Sequence, residues 1–493
     1  MLSLPTVHGY RLLGGAGATL LAGAGLAAGA LPVGAEASWW SALRHLAGPA
    51  LLCGYAGLTL LAVAWWWAGR DLRRARRVAA GPGAGRLDRR SAALTLACWA
   101  GPLLLCPPLF SRDAYSYLAQ GAMVLADIDV YRHGVAALGG RLAAEVPQMW
   151  QQTPAPYGPV FLAITAVVSA LTGGKLVLGV LGLRLVALAG VALLVVHLPR
   201  LARHCGVDPA AALWLGVLNP LVPLHLIAGA HNEAVMLGLL VAGLSNAVDR
   251  RFGAATVLVT LAALVKAPAA IGLLVVVSLA ARHTGRRAAL ARTAGFAAAT
   301  TAAVTWATGI GYGWIAALGT PVYRHSWSVS SALGRGASRL AAALGLDLGD
   351  GPMRLCLALG LVAALAAAGT AWWRRRRLGP AYAVGLALAA VALLGPATRP
   401  WYALWGLVLI AAAAPDVWPN RTAAGRTAPS TWVRPAAACG AVVLAFVALP
   451  SGFGPDGAQA LLATAGVVVG LVAVGWLRLL TGAARPTPVT VSP

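Results

Sequence analysis

"PPLFSRDAYSYLAQG", residues 107–121, follows directly on a strongly apolar stretch at 91–110 and puts a carboxylate, Asp113, in the first turn beyond it. The apolar stretch has the length and composition of a membrane-crossing helix. Only 14 of the 493 residues are acidic, so the placing of each one is informative. Tyr115 and Leu118 lie three apart, as do Tyr117 and Gln120. That spacing predicts an amphipathic helix suited to the membrane interface, with Asp113 at its N-terminus.

Working outward, apolar runs recur at about 12–33, 46–68, 157–173, 176–198, 209–229, 234–248, 252–265, 268–281, 293–311, 352–373, 379–396, 401–414, 436–450 and 458–477. The chain is 59% hydrophobic and 11% charged, and its mean hydropathy is +0.76. Continuous runs of this kind exclude a soluble domain, and they exclude a β-barrel, which would alternate. The reading is an all-α polytopic membrane protein of about 13–15 transmembrane helices. A net charge of +24 raises nucleic-acid binding as a question. It is rejected because the arginines cluster between apolar runs, eight of them within 70–90 and four at 374–377, as the positive-inside rule expects. The six scattered cysteines form no CxxC pair, so neither a disulfide framework nor a metal site is expected. Residues 1–37 resemble a secretory signal, but the run is long for one, and an uncleaved first span is preferred.

Arginine-rich connections at 69–90, 199–204, 249–251, 282–292, 374–377 and 421–434 are read as cytoplasmic. Crossings between 69–90 and 199–204 must then be even, whereas three runs are counted. The Pro-rich start of 157–173 makes that run the expected irregular one. Nine acids then face outside (Glu36, Asp113, Asp127, Asp129, Glu145, Glu233, Asp347, Asp350, Asp456), and none stands in mid-span. Ion-driven transporters usually place an acid near the midplane. The distribution therefore points to chemistry at the outer surface of a plasma-membrane protein. Four regions are expected: N-terminal spans and a basic loop (1–90), a catalytic membrane module with the outer loop 111–156 (91–410), C-terminal spans (411–480) and a disordered tail (481–493).

Each candidate residue has a structural and a functional reading. Asp113 is a helix N-cap or a general base. Lys266, at a hairpin turn before Pro268, snorkels or serves a site. Arg184, alone in mid-span, is half of an ion pair or serves a site. His231 and Glu233 cap the next span or serve a site. Tyr157, Trp401 and Tyr402 are belt aromatics or serve a site.

Five motifs in order, RDAYSYLAQG (112–121), TPAPYGPVF (153–161), GAHNEAVMLGLL (229–240), LVKAPA (264–269) and RPWYALW (399–405), resemble the GT-C glycosyltransferases. Within these, the chain is similar to actinobacterial polyprenol-phosphomannose-dependent α-1,6-mannosyltransferases, over about residues 90–410. Asp129 and Tyr131 match a Gly-x-Asp-Pro-Tyr motif that has Val130 in place of proline, and His231-Asn232-Glu233 stands where the family often has His-Asn-Asp. The resemblance implies a GT-C-type bundle and inverting mannosyl transfer from a polyprenyl-phosphate donor to a glycolipid or oligomannoside acceptor. It implies Asp113 as base and a substrate site drawn from Tyr115, Tyr117, Gln120, Asp129, Tyr131, Tyr157, His231, Asn232, Glu233, Trp401 and Tyr402. Lys266, Arg324, His325, Arg399 and Arg184 are the candidate phosphate ligands. No cofactor is firmly implied, although the Asp-rich outer loop could hold a divalent ion weakly. The competing readings are a lipid-linked sugar flippase or a GT-C transferase of another pentose or hexose.

Overall fold

The computed structural model describes residues 7–33, 39–77, 87–317, 319, 326, 328–415 and 432–483, and among them there is no strand. Every predicted apolar run contains helix. Among the described residues six helices are long and apolar enough to cross a membrane: Val7–Ala28, Ala47–Arg74, Leu176–His204, Ala267–Thr284, Gly351–Trp373 and Gly457–Leu480. The protein is an all-α polytopic membrane protein. The remaining runs are shorter or broken, so the expected 13–15 full-length spans are not reached by length and composition. Proline is the main physical reason. The run at 91–110 becomes a helix Arg89–Ala100, a 3₁₀ turn Pro102–Leu104 and then extended chain through Pro107 and Pro108.

The run at 209–229 breaks in the same way. Helix Pro209–Gly216 ends before Asn219 and Pro220, and a π-helical turn, Val222–Ala228, follows. The Asn219 side chain accepts from the Leu221 amide at 3.1 Å and donates to the Leu215 carbonyl at 2.9 Å, which covers the break. The π turn then meets helix Glu233–Val248 at 111°. The irregular backbone expected at 157–173 lies here instead. Pro159–Thr172 is an unbroken helix, because its only proline sits at the first helical position, where the amide is not needed.

Helix Val7–Ala28 packs along Ala47–Arg77, which in turn packs on Gly457–Ala483. Leu176–His204, Glu233–Val248 and Phe252–Val265 form the centre, and Gly351–Trp373 and Pro380–Leu394 flank it. Only 11% of Gly351–Trp373 and 17% of Gly457–Leu480 is buried within the protein. Their Leu- and Val-rich outer faces are suited to hydrocarbon.

Two glycines set the geometry around Asp113. Gly121 lets helix Asp113–Leu125 close on Pro159–Thr172; a Cβ there would stand 2.3 Å from the Thr165 carbonyl oxygen. Gly158 lets the chain after Tyr157 lie against the Phe252–Val265 helix end, where a Cβ would stand 2.1 Å from the Leu264 carbonyl oxygen.

Candidate active site

Asp113 is the first residue of helix Asp113–Leu125, and the N-cap is Arg112, whose side chain makes no capping bond. The cap reading of Asp113 is therefore set aside; its own amide is held by Ser111 Oγ at 3.0 Å. The carboxylate is free to face a cavity of about 170 Å³ lined by Ser111, Arg112, Trp150, Arg399, Trp401 and Phe453, among others. Its side chain is 28% exposed, and Oδ2 lies 3.5 Å from His231 Nδ1. That separation is an electrostatic contact rather than a tight hydrogen bond. The Tyr117 hydroxyl stands 3.4 Å from the same nitrogen. Burial raises the Asp113 carboxyl above the usual range, while the charge of Arg399, the hydroxyl of Ser111 and the charge of Lys266 pull it back.

Two residues beside this site adopt left-handed backbone without being glycine: Phe110 (φ 64) and Ala230 (φ 53). Such backbone stores on the order of 1–3 kcal/mol per residue and persists where the surroundings fix it. The Phe110 amide donates to the Pro450 carbonyl at 2.8 Å, and Ala230 delivers His231 directly beneath Trp401. The two rings stack at 3.8 Å and 24°.

Lys266 does not snorkel. It is 11% exposed and ion-paired with Glu233, which is fully buried. The Tyr402 ring stands 4.4 Å from its ammonium, with Trp405 at 5.4 Å and Tyr157 at 5.8 Å. Arg399 is half-buried, lines the cavity with Asp113, and makes no hydrogen bond or ion pair among the described residues. It is thus a cation available to an anionic ligand.

Several buried polar atoms have no partner among the described residues: both side-chain atoms of Asn232, Glu233 Oε2, His231 Nε2, both nitrogens of His225 and Gln120 Oε1. Unpaired buried groups cost about 1–3 kcal/mol each, and they concentrate where a ligand or ordered water is held.

Other expected residues differ from the expected roles. Tyr115 and Tyr117 are not interfacial anchors; both are buried, and Tyr115 donates to the Ala30 carbonyl at 2.6 Å. The amphipathic face expected of this helix is absent, since Ala114 through Gly121 are all buried. Asp129 is about half exposed, accepts from the Tyr131 amide at 2.9 Å and pairs with Arg132, so it stands away from the cavity. Tyr131 donates to the Tyr157 carbonyl at 3.1 Å and braces the loop. Arg184 makes no ion pair among the described residues. Its guanidinium donates to the carbonyls of Leu104, Cys106, Pro107 and Ala228 at 2.6–3.2 Å, tying together the two broken segments. Arg324 and His325 lie outside the described residues.

Sequence reasoning missed the turn at 451–454, which lines the cavity from the C-terminal spans. It also missed the buried Arg112–Glu145 pair, in which Glu145 additionally accepts from the Val33 amide at 2.6 Å. The one available signal was a Gly- and Phe-bearing loop, SGFGPDG, between two apolar runs. A second depression of about 740 Å³ shares Arg112, Pro147, Met149 and Phe453 with the first.

Residues 11–282 match the family described as alpha-(1->6)-mannopyranosyltransferase, N-terminal domain, and residues 330–479 match the MptB C-terminal domain. A probable alpha-(1->6)-mannopyranosyltransferase of Mycolicibacterium smegmatis is 36% identical over 448 residues, covering 82% of this chain and 78% of its own. Alpha-(1->6)-mannopyranosyltransferase A of Mycobacterium tuberculosis is 36% identical over 447 residues, covering 86% and 83%. Alpha-(1->6)-mannopyranosyltransferase B of Corynebacterium glutamicum is 32% identical, covering 83% and 73%. With more than half its length inside one family model and these relatives alongside it, the chain belongs to the alpha-(1->6)-mannopyranosyltransferase family of membrane glycosyltransferases.

Proposed function

We propose that this enzyme transfers mannose from a polyprenyl-phosphate-mannose donor to a growing α-1,6-mannan, lipomannan-type acceptor, with inversion, at the outer face of the plasma membrane. The observation that carries the reading is the facing of Asp113 and the unpaired Arg399 across one small cavity. The acceptor's primary hydroxyl attacks C1 of the β-linked sugar on the face opposite phosphate. The new C1–O bond forms as the bond to the phosphate oxygen breaks. Asp113 takes the hydroxyl proton, and the phosphate departs with the bonding pair, stabilised by Arg399 and, more remotely, by the Lys266 charge. A phosphate is a good leaving group at its ordinary pKa, so no general acid is required.

Trp401, which lines the cavity beside Asp113, offers ring surface to a sugar, whereas the unpartnered atoms of Asn232, Glu233 and Gln120 are enclosed and do not line it. No resident metal enters this scheme. A chelator series in the transfer assay tests that point.

The decisive assay incubates membranes with labelled polyprenyl-phosphomannose and an oligomannoside. Absence of α-1,6-linked product from a well-expressed protein would overturn the reading. Orientation is tested separately, with cysteines placed at Ala75 and Gly140. An impermeant reagent added outside should label position 140 and spare position 75; the reverse would invert the topology.

A further inference from the structure

At the end of helix Leu176–His204 remote from Asp113, a second charged cavity stands apart from everything used above. Arg184 anchors that helix beside the active site, and Arg200 and Arg203 follow 16 and 19 residues later, about 24–29 Å along its axis. They share a cavity of about 400 Å³ with Arg89 and Arg90, which open helix Arg89–Ala100, and with the start of helix Pro209–Gly216. Four guanidiniums from two helices thus face one hollow. One carboxylate, Asp88, lines it with them, and that group is spent on capping, accepting from the Ser91 amide at 2.7 Å. The neighbouring Asp208 is likewise occupied, at the Ala210 amide.

None of the four arginines makes a side-chain hydrogen bond, ion pair or ring contact among the described residues. All four are exposed, so their guanidiniums are open to a ligand entering the hollow. Topological signalling alone needs positive charge near a span end; it does not need four guanidiniums turned into one concavity, where like charges oppose one another. The wall of the cavity includes Val196, which is 38% exposed on a membrane-length helix, so the hollow opens onto the hydrocarbon edge.

We propose that this cavity is a binding site for the phosphate headgroup of an anionic membrane lipid, on the face opposite the active site. Guanidiniums grip phosphate bidentately. Basic hollows between membrane helices on the cytoplasmic side take such headgroups while the acyl chains lie along the adjacent span. A lipid held there clamps the ends of helices Arg89–Ala100, Leu176–His204 and Pro209–Gly216 together.

The test is native mass spectrometry of the full-length protein, loaded in detergent with phosphatidylglycerol, with phosphatidylcholine, or with glycerol phosphate. Phosphatidylglycerol should be retained and the other two should not. Arg200→Gln/Arg203→Gln and, on a different helix, Arg89→Gln/Arg90→Gln should each weaken retention on the order of tenfold, because each removes two of the four charges that hold the headgroup. Arg376→Gln/Arg377→Gln removes the same charge from an exposed basic cluster and should leave retention unchanged. Equal loss in that control would reduce the effect to general surface charge and overturn the proposal. So would unchanged retention in both cavity variants. Equal retention of glycerol phosphate would make the ligand a soluble phosphate and the lipid assignment wrong. The two cavity variants sit on separate helices, so a folding failure in one leaves the other to decide.

Discussion

Nδ1 of His231 stands 3.5 Å from Oδ2 of Asp113, and the opposite face of the stack is closed by Trp401, 3.8 Å from the imidazole centroid. Three segments far apart in sequence thus fix the direction of one carboxylate. The imidazole in this place orients the base.

The first expected outcome concerns that carboxylate. Because Arg112 occupies the N-cap position, Asp113→Asn removes no capping bond, and its helix should remain. If Asp113 accepts the hydroxyl proton, mannosyl transfer should fall on the order of 10²–10⁴-fold with little change in melting temperature. Near wild-type turnover in a well-folded Asp113→Asn protein would sink the mechanism.

Position rather than charge is the subject of the second. Arg399→Gln removes the unpaired guanidinium of the cavity and should raise the donor KM while lowering kcat, because the interaction strengthens as phosphate charge develops. Arg375→Gln removes a cation that merely bonds the Trp372 carbonyl at 3.1 Å and covers that ring; it should be nearly silent. Equal effects would mean that the phosphate site is misplaced.

The same arginine sets a pH dependence. Burial raises the Asp113 carboxyl and Arg399 lowers it. The base works deprotonated, so kcat/KM should decline as pH falls through the raised pKa. Removing Arg399 withdraws the lowering influence, and the acid limb of Arg399→Gln should therefore move to higher pH. A limb that stays in place, or moves down, contradicts the assignment of Asp113 as the titrating base.

The helices and the family motifs were legible because they rest on local signals: continuous apolar runs and short ordered motifs. What could not be read is tertiary. Tyr115 and Tyr117 have the spacing of interface anchors, yet their helix is enclosed by Pro159–Thr172, Leu176–His204 and the segment around Ala30. Nothing local reveals such enclosure. Proline at Pro107, Pro108 and Pro220 marked breaks in runs that hydropathy alone counts as whole spans. The contribution of residues 451–454 depends on a chain reversal near Phe110, some 340 residues earlier in sequence.

Arg184 carries the fourth prediction. Its removal leaves carbonyls of Leu104, Cys106 and Ala228 unpaired in the protein interior, at about 1–3 kcal/mol each. Arg184→Gln should sharply reduce the yield of folded protein, while the surviving fraction keeps a near-normal donor KM. A raised KM in a stable Arg184→Gln protein would favour the phosphate-ligand reading instead.

The last prediction separates two roles for Lys266. Its ammonium pairs with Glu233, and both groups are nearly enclosed. Removing one partner of a buried pair typically costs about 3–5 kcal/mol, because the other charge is stranded. Lys266→Met strands a carboxylate that is fully buried, with Oε2 unpartnered already. Glu233→Gln strands an ammonium that keeps the Tyr402 face at 4.4 Å, which offsets part of the loss. Thermal unfolding in detergent should therefore rank Lys266→Met below Glu233→Gln. The double variant, with no stranded charge, should recover most of the stability. Donor KM should not recover with it, because the thioether side chain of the Lys266→Met protein offers nothing to the departing phosphate. If stability and KM recover together in the double variant, Lys266 serves only to hold Glu233, and Arg399 is left as the cation that meets the donor.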